Sequence, residues 1–333
     1  MGIGMQHSLT SFERRLINRF QGGVDLTQRP FREMAKALAS EEDTVLETVQ
    51  GLLERGWLSR FGPLYNAERL GGSLVLAAMS VPDSKFDRVT EQVNALAAVA
   101  HNYRRDHWLN MWFVLATDSS DSIRETIEQI ESETGLRVYA FPKEQEFYLG
   151  LWFEMGDDGS LNTRSIPAVA ATENVDLDDL DRRIIAETQQ GLPLTHDPCQ
   201  ALAWRIGCWP SEVATRMDTM LQSGVIRRTG LVPNHYRLGF KGNGMTVWNI
   251  ADDQLQEAGE RLGAMDFVSH CYARPRHPPD WPYNLFAMVH GRDRADVMQK
   301  VNALSHQLRS YNQGHEVLFS SAVLKKTGMR LAL

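Results

Sequence analysis

Two stretches of the chain gather groups that can hold acids and move protons. His101 to Phe113 reads HNYRRDHWLNMWF, and His270 to Phe286 reads HCYARPRHPPDWPYNLF. On an extended strand alternate residues share a face. His101, Tyr103, Arg105 and His107 then align in the first stretch, and His270, Tyr272, Arg274 and Arg276 in the second. The shared pattern is H-x-Y-x-R. Arginine grips carboxylates bidentately, and histidine gives or takes a proton near neutral pH. No acid falls on either face, since Asp106 points to the other side. A row of cations on a sheet needs an anionic partner or open water. Trp108, Trp112, Trp281, Tyr283 and Phe286 add broad flat surfaces. The expected site takes a flat, polyanionic, partly apolar molecule and places histidine for proton transfer.

The pattern occurs twice because the chain is a tandem repeat. ERRLINRFQGG (13–23) matches DRRIIAETQQG (181–191). Pro30 aligns with Pro198, Ala35 with Ala203, Val45 with Val213, Gly56 with Gly224, Arg60 with Arg228 and Asn66 with Asn234, all at one constant separation. One inserted residue precedes His270, and a longer insertion within PRHPPD precedes Asn284. Each copy opens on a helical module. In the first, helices fit 11–21, 31–39 and 42–55, the third with Ser40 or Asp43 as N-cap, Gly56 as its stop, and Val45, Val49, Leu52 and Leu53 packing inward. WLSRFGPLYN (57–66) has the rhythm of a wing hairpin. An α/β module follows. Strands are expected at 73–81, 100–107, 110–117 and within 136–153, with helices at 84–99 and 120–134. The second copy repeats them as strands 244–250, 267–276, 283–290 and 315–324 with helices 252–264 and 292–311. This is the βαββαβ plan of a ferredoxin-like module. The fold class is α+β: a tandem repeat of winged helix-turn-helix and ferredoxin-like modules with pseudo-two-fold symmetry. The expected boundaries are 8–66 and 67–155 for the first copy, a polar linker at 156–176, and 177–235 and 236–333 for the second.

Composition narrows the function. The chain has 333 residues, a formal net charge of −7 and three cysteines. No apolar run approaches the ~20 residues of a membrane helix, and the first residues do not read as a secretory signal. Cys199, Cys208 and Cys271 are odd in number and lack CxxC spacing. They read as reduced thiols of a cytoplasmic protein, with no metal site. The helix-turn-helix invites a DNA reading, but the third helix is acidic. Residues 40–55 carry Glu41, Glu42, Asp43, Glu47 and Glu54 against Arg55, and residues 208–223 carry Glu212 and Asp218 against Arg216. Phosphate contacts supply most non-specific affinity, so DNA is an unlikely partner. Trp209 and Pro210 read as packing groups at a helix start.

A winged helix joined to a βαββαβ module resembles the Lrp/AsnC regulators. Within that group, HNYRRDHWLNMWFVLA and HCYARPRHPPDWPYNLFAMVHGRDR resemble the signature segments of siroheme decarboxylases. The first copy is similar to the D-type subunit and the second to the L-type, so the likeness is to the fused D–L form. The resemblance implies a carboxy-lyase that removes the C12 and C18 acetate carboxyls of siroheme, giving 12,18-didecarboxysiroheme for haem d1. It implies no cofactor beyond the iron carried by the substrate. Siroheme and its decarboxylated products are then the partners, with no membrane and a homodimer of the fused chain as an option.

On that resemblance, His101 and His270 are candidate proton donors or axial iron ligands. Arg105 and Arg274, with Arg104 and Arg276, are candidate clamps for the carboxylates. Tyr103 and Tyr272 would hydrogen-bond a carboxylate or orient a histidine. Trp108, Trp281 and Tyr283 would pack the macrocycle, with His107 and His277 lining the site. Asn110 and Asn284 would contact a substrate side chain or hold the strand turn. A transcription regulator and a non-catalytic tetrapyrrole-binding protein stay open as alternatives.

Overall fold

The computed structural model describes residues 8–326, apart from 118, 151, 159 and 165–175. The first helical module holds α1 (Ser11–Phe20), α2 (Pro30–Leu38), α3 (Glu42–Glu54) and β1 (Leu58–Tyr65). The first α/β module holds β2 (Ser73–Met79), α4 (Phe86–Ala95), β3 (Val99–Arg105), β4 (Met111–Thr117), α5 (Ser120–Thr134), β5 (Val138–Pro142) and β6 (Gln145–Leu149). A short hairpin follows, β7 (Trp152–Met155) and β8 (Leu161–Arg164). The second helical module holds α6 (Asp179–Thr188), α7 (Pro198–Ile206), α8 (Pro210–Gln222) and β9 (Ile226–Pro233). The second α/β module holds β10 (Gly242–Ile250), α9 (Leu255–Gly263), β11 (Val268–Ala273), β12 (Leu285–Gly291), α10 (Arg294–Gln307) and β13 (Asn312–Lys326).

These elements sort into two compact units. One combines the chain up to Tyr65 with Trp152–Leu238, and the other combines Asn66–Leu151 with the chain from Gly239 on. The repeats therefore pair like with like: helical module with helical module, α/β module with α/β module.

In the helical unit, α1 and α6 both start on capping boxes, Thr10 with Glu13 and Asp178 with Asp181, which satisfy otherwise orphaned amides. Two glycines, Gly56 (φ 71°) and Gly224 (φ 74°), end α3 and α8 in the left-handed region. Val45, Val49 and Leu52 are wholly buried, as their spacing predicts. Three details differ from expectation. The N-cap of α3 is Glu41, without a side-chain cap bond. Trp209 is 74% exposed, so it is not a packing group. The wing is not a hairpin: β1 pairs antiparallel with β9 of the other copy, Gly62 facing Gly230. A Cβ at Gly230 would meet the Phe20 carbonyl oxygen at 2.6 Å, so the small residue permits that approach.

The linker expected at 156–176 starts with structure, and its stretch 165–175 lies outside the described residues. Strand β7 pairs with β8 on one side. On its other side, side chains of α1 and its C-cap stand in for a strand. Gln21, fully buried, donates to the Phe153 carbonyl at 2.5 Å and accepts its N–H at 2.9 Å. Asn18 does the same for Met155, at 2.8 and 3.1 Å.

In the α/β unit one antiparallel sheet runs β5-β2-β4-β3-β13-β10-β12-β11-β6. The expected last strand of the first copy is two strands, β5 and β6, with only Lys143 and Glu144 between them. Strand β5 pairs with β2 of its own copy, and β6 pairs with β11 of the other. Strand β13 is the unbroken counterpart: its first half pairs with β10 and its second with β3. The two terminal strands of the sheet, β5 and β6, are thus consecutive in the chain, and each copy lends one strand to the other. Helices α4 and α5 cover a core of Ala77, Phe86, Val89, Met111, Phe113 and Leu115, and α9 and α10 cover the matching core of the second copy. A third cluster lies between the two halves of the sheet and draws on both copies: Trp112, Tyr139 and Phe141 from one, Met245, Trp281, Phe286 and Leu318 from the other.

Replacing Gln21 with Ala would remove both of its buried bonds to the Phe153 backbone, a cost of about 3 kcal/mol. Urea unfolding of Gln21→Ala checks this; an unchanged midpoint contradicts the bridging role.

Candidate functional site

The register of β3 against β4 sets which side chains face the interior between the two half-sheets. Tyr103 lies opposite Trp112, and Asn102 opposite Phe113. Trp112 belongs to the shared interior and Phe113 to the helix-covered core. His101, Tyr103 and Arg105 therefore face inward, while Asn102 and Arg104 face the helices. In the second copy, Tyr272 opposite Phe286 places His270 and Tyr272 on the same interior.

The two H-x-Y-x-R arginines are the most symmetric feature. Arg105, 7% exposed, donates from Nη1 to the Leu318 carbonyl at 2.6 Å. Arg274 donates from Nη1 to the Phe141 carbonyl. Leu318 and Phe141 are equivalent: Phe141 pairs with Leu76 and Leu318 with Met245. Each guanidinium is fixed to the strand at a junction between copies. Burial lowers the Arg274 pKa to about 10, and no carboxylate lies within ion-pair distance of it among the described residues. It lies 5.1 Å from the Tyr272 ring centre and 5.8 Å from that of Phe286. Arg105 lies 6.0 Å from the Tyr103 ring centre. These arginines tie backbone and charge the interior, rather than reaching out as open clamps.

His101 stacks on Tyr103 with ring centres 6.2 Å apart and planes at 20°. Its Nδ1 is buried and has no hydrogen-bond partner. It lies opposite Lys326, the last described residue of β13. Burial, then the Lys326 charge, push the His101 pKa below its ordinary value, and burial lowers that of Lys326 as well. Two suppressed bases side by side make a favourable seat for an anion. His270 sits edge-on to Tyr272 at 6.0 Å, with its Nδ1 2.7 Å from Ser269 Oγ. Beside Tyr272, Lys143 bonds Glu68 at 2.6 Å and Glu146 at 2.9 Å.

The other expected site residues take different places. Arg104 lies on the helix face, over Phe86 at 4.3 Å and 3.1 Å from Asp83, because β3 alternates and 104 is out of phase with 103 and 105. Strand β11 ends at Ala273, so Arg276 leaves the face; it binds Asp252, the Ile250 carbonyl and the Pro282 carbonyl. Asn110 and Asn284 do not contact a ligand surface. Asn110 exchanges both bonds with the Val81 backbone, at 2.9 and 2.8 Å, and Asn284 does so with Ile250, both at 3.0 Å. They hold the strand ends, the second of the two options read from sequence.

His107 is not free of acids as expected. Its Nε2 donates to Glu316 at 2.9 Å, and its Nδ1 accepts the Leu109 N–H at 3.1 Å. The neutralising carboxylate comes from β13 of the other copy, beyond the reach of local pattern. Burial still outweighs Glu316 and lowers the His107 pKa. His277 donates from Nε2 to the Ala140 carbonyl at 2.8 Å and stands edge-on to Phe141. Trp281 is fully buried against Trp112 and Phe141, with Nε1 unpartnered. Tyr283 packs edge-on against Trp281, its phenol pKa raised to about 12 by burial and Glu316. Trp108, 44% exposed, meets Tyr139 edge-on at 5.8 Å.

The structure therefore gathers His101, Tyr103 and Arg105 with Lys326, and His270, Tyr272 and Arg274 with Ser269, around one aromatic interior. Lys326, Glu316 and Ser269 were not legible as site residues, because only strand register and a bulge place them there. A cavity of about 560 Å³ lies elsewhere, beside α5, β2 and β5, lined by Leu74, Val75, Ile123 and Arg124 among others; none of the expected site residues lines it.

His101 and His107 both titrate below the ordinary 6.5. The unfolded chain then binds protons that the folded chain resists, so their contribution to stability is fully present above about pH 6.5 and is lost as pH falls through the folded values. The double variant His101→Gln/His107→Gln should show a shallower fall of unfolding free energy from about pH 7 to 5. An identical slope by denaturant titration contradicts the depressed values.

Comparison with known proteins agrees with this geometry. The model of the AsnC-like ligand binding domain matches residues 69–148 and 237–325. The siroheme decarboxylase NirDL-like HTH domain model matches 13–58 and 181–227. The siroheme decarboxylase NirH subunit of Paracoccus pantotrophus is 49% identical over 154 residues, 46% of this chain and 96% of the relative. The siroheme decarboxylase NirDL subunit of Paracoccus denitrificans is 29% identical over 98% of both chains. A crystal structure of the siroheme decarboxylase NirDL superposes with a TM-score of 0.71 at 26% identity, covering 97% of this chain and 94% of that one. Another, in co-complex with an iron-uroporphyrin III analogue, gives 0.69 at 26% identity over 96% and 92%. With both halves of its α/β unit matching one ligand-binding module, both helical modules matching the NirDL-like type and its full length aligning with NirDL, the chain belongs to the siroheme decarboxylase family.

Proposed function

We propose that the chain decarboxylates siroheme, a carboxy-lyase reaction that removes the C12 and C18 acetate carboxyls and yields 12,18-didecarboxysiroheme for haem d1. The observation that carries this reading is the register that sets His101 opposite Lys326 where the two copies join, with His101 half-buried against Tyr103 and its pKa lowered by burial and then by the Lys326 charge, on the strand face that also carries Trp112. A polycarboxylate macrocycle satisfies both halves of that environment. Its ring packs on apolar surface, and its carboxylates restore the suppressed cations.

The chain's residues have three tasks in this chemistry. The leaving carboxylate must stay ionised, which Lys326 and the positive interior from Arg105 and Arg274 favour. A proton must reach the acetate carbon as the carbon–carboxyl bond breaks, which we assign to His101 or His270. Water must be kept from the ring, which the Trp112, Phe141, Trp281 and Phe286 cluster favours. The iron arrives with the substrate, and no further cofactor is invoked. Among the described residues no helix is long and apolar enough to cross a membrane. We place the protein in the cytoplasm on its thiols: Cys199, Cys208 and Cys271 are unpaired. The acids of α3 disfavour a DNA-binding role.

Anaerobic incubation with siroheme, followed by mass spectrometry, should show two successive losses of carbon dioxide. Binding without mass loss would make the protein a carrier. His101→Ala or His270→Ala should cut turnover about 100-fold wherever that residue is the proton donor. Unchanged rates in both single variants and the double variant would overturn the assignment.

A further inference from the structure

The two histidines of the H-x-Y-x-R faces differ in what stands behind them. In the second copy a bulge between Val268 and His270 brings Ser269, wholly buried, to the same side as His270. Ser269 Oγ lies 2.7 Å from His270 Nδ1 and 2.8 Å from His290 Nε2. His290 Nδ1 lies 2.6 Å from Asn243 Oδ1. His290 is 7% exposed and faces Asn243 across β12 and β10. The first copy has the same bulge, between Val99 and His101, but Ala100 fills it. The pair equivalent to Asn243 and His290 is Leu74 and Ala116. No hydroxyl or imidazole can reach His101 from those positions, and its Nδ1 is buried without a partner.

Resting on the decarboxylase reading, we infer that Ser269, His290 and Asn243 are positioning residues that fix the tautomer of His270 and so make the second copy the site of proton delivery. The contacts along the chain fit one proton assignment. Asn243 Oδ1 accepts the Nδ1–H of His290, which leaves His290 Nε2 with a lone pair. Ser269 donates its hydroxyl proton there, its alternative acceptor, the Met288 carbonyl, being farther at 3.5 Å. The Ser269 oxygen then accepts Nδ1–H from His270. Neutral His270 is held with its proton on Nδ1, and Nε2 is the nitrogen that titrates.

That tautomer suits the reaction. Imidazolium His270 gives its Nε2 proton to the acetate carbon. The carbon–carboxyl bond breaks, its electron pair forms the new carbon–hydrogen bond by way of the pyrrole ring, and carbon dioxide leaves. His270 is left neutral with Nδ1–H still on Ser269, so nothing in the chain need rearrange. Solvent returns the Nε2 proton. His101, lacking such a partner, is left to bind a carboxylate beside Lys326.

The test uses the full chain labelled with ¹⁵N-histidine, the His270 signals being assigned by difference with His270→Gln. Wild type should show neutral His270 as the Nδ1–H form. Ser269→Ala should mix the tautomers, lower kcat by tenfold or more, on the order of the loss expected for a misoriented reacting group, and leave the Kd for siroheme within about twofold, as orientation rather than binding is lost. Ser269→Thr should restore both. Asn243→Leu, the residue of the first copy, should act like Ser269→Ala and guards against a folding defect at the bulge. An Nε2–H form in wild type, or unchanged kcat once the tautomer is lost, overturns the inference. An Nδ1–H form in a wild type that does not decarboxylate siroheme would keep the positioning chain and overturn the proposed reaction instead.

Discussion

The exchange of strands between the copies is the constraint on which the rest depends. Each ferredoxin-like module ends on an exposed strand, β3 or β11, whose backbone groups need partners. Strand β13 continues past its own module to pair with β3, and β6 does so for β11. Ladder hydrogen bonds therefore join the copies at two places in the sheet, β3 to β13 and β11 to β6. The exchange also creates an interior that neither copy owns, filled by Trp112 and Phe141 from one side and Trp281 and Phe286 from the other.

That interior explains the unusual handling of charge. Arg105 and Arg274 each bond a backbone carbonyl of the other copy, Leu318 and Phe141. A buried guanidinium is tolerable when hydrogen-bonded, and its charge is only weakly screened there. The result is a pair of fixed cations behind Tyr103 and Tyr272. His101 and Lys326 add titratable groups that burial keeps reluctant to ionise. An interior of this kind favours a ligand that brings its own negative charges and an apolar body.

The copies share a frame but have diverged in its fittings. The Asn110–Val81 and Asn284–Ile250 ties and the two arginine bonds are kept in both. Around the histidines symmetry is lost. The first copy sets His101 against a lysine. In the second, Tyr272 meets Lys143 and Glu146 of the first copy, and His270 is backed by a serine and a second histidine. Frame positions answer to backbone hydrogen bonding, which is the same in each copy. Fittings answer to what each pocket does, so they are free to differ.

Sequence alone determined the repeat, the order of helices and strands in each copy, and the inward face of His101, Tyr103, His270 and Tyr272. Those follow from local rules: helical spacing, strand alternation and glycine stops act within a dozen residues. It also determined the family, since HNYRRDHWLN and DWPYNLFAMVHG are long unbroken motifs. Only tertiary structure decided the partners. Glu316 neutralises His107, Lys326 meets His101, and Gln21 completes β7, in each case across more than a hundred residues. Arg104 and Arg276 leave the site for a different reason: strand phase and the end of β11 set their direction, and the long loop holding Pro275, Pro278, Pro279 and Pro282 conceals where that end falls. Side-chain type can be read along the chain, but pairing energy depends on which distant groups folding brings within 3 Å or so of one another.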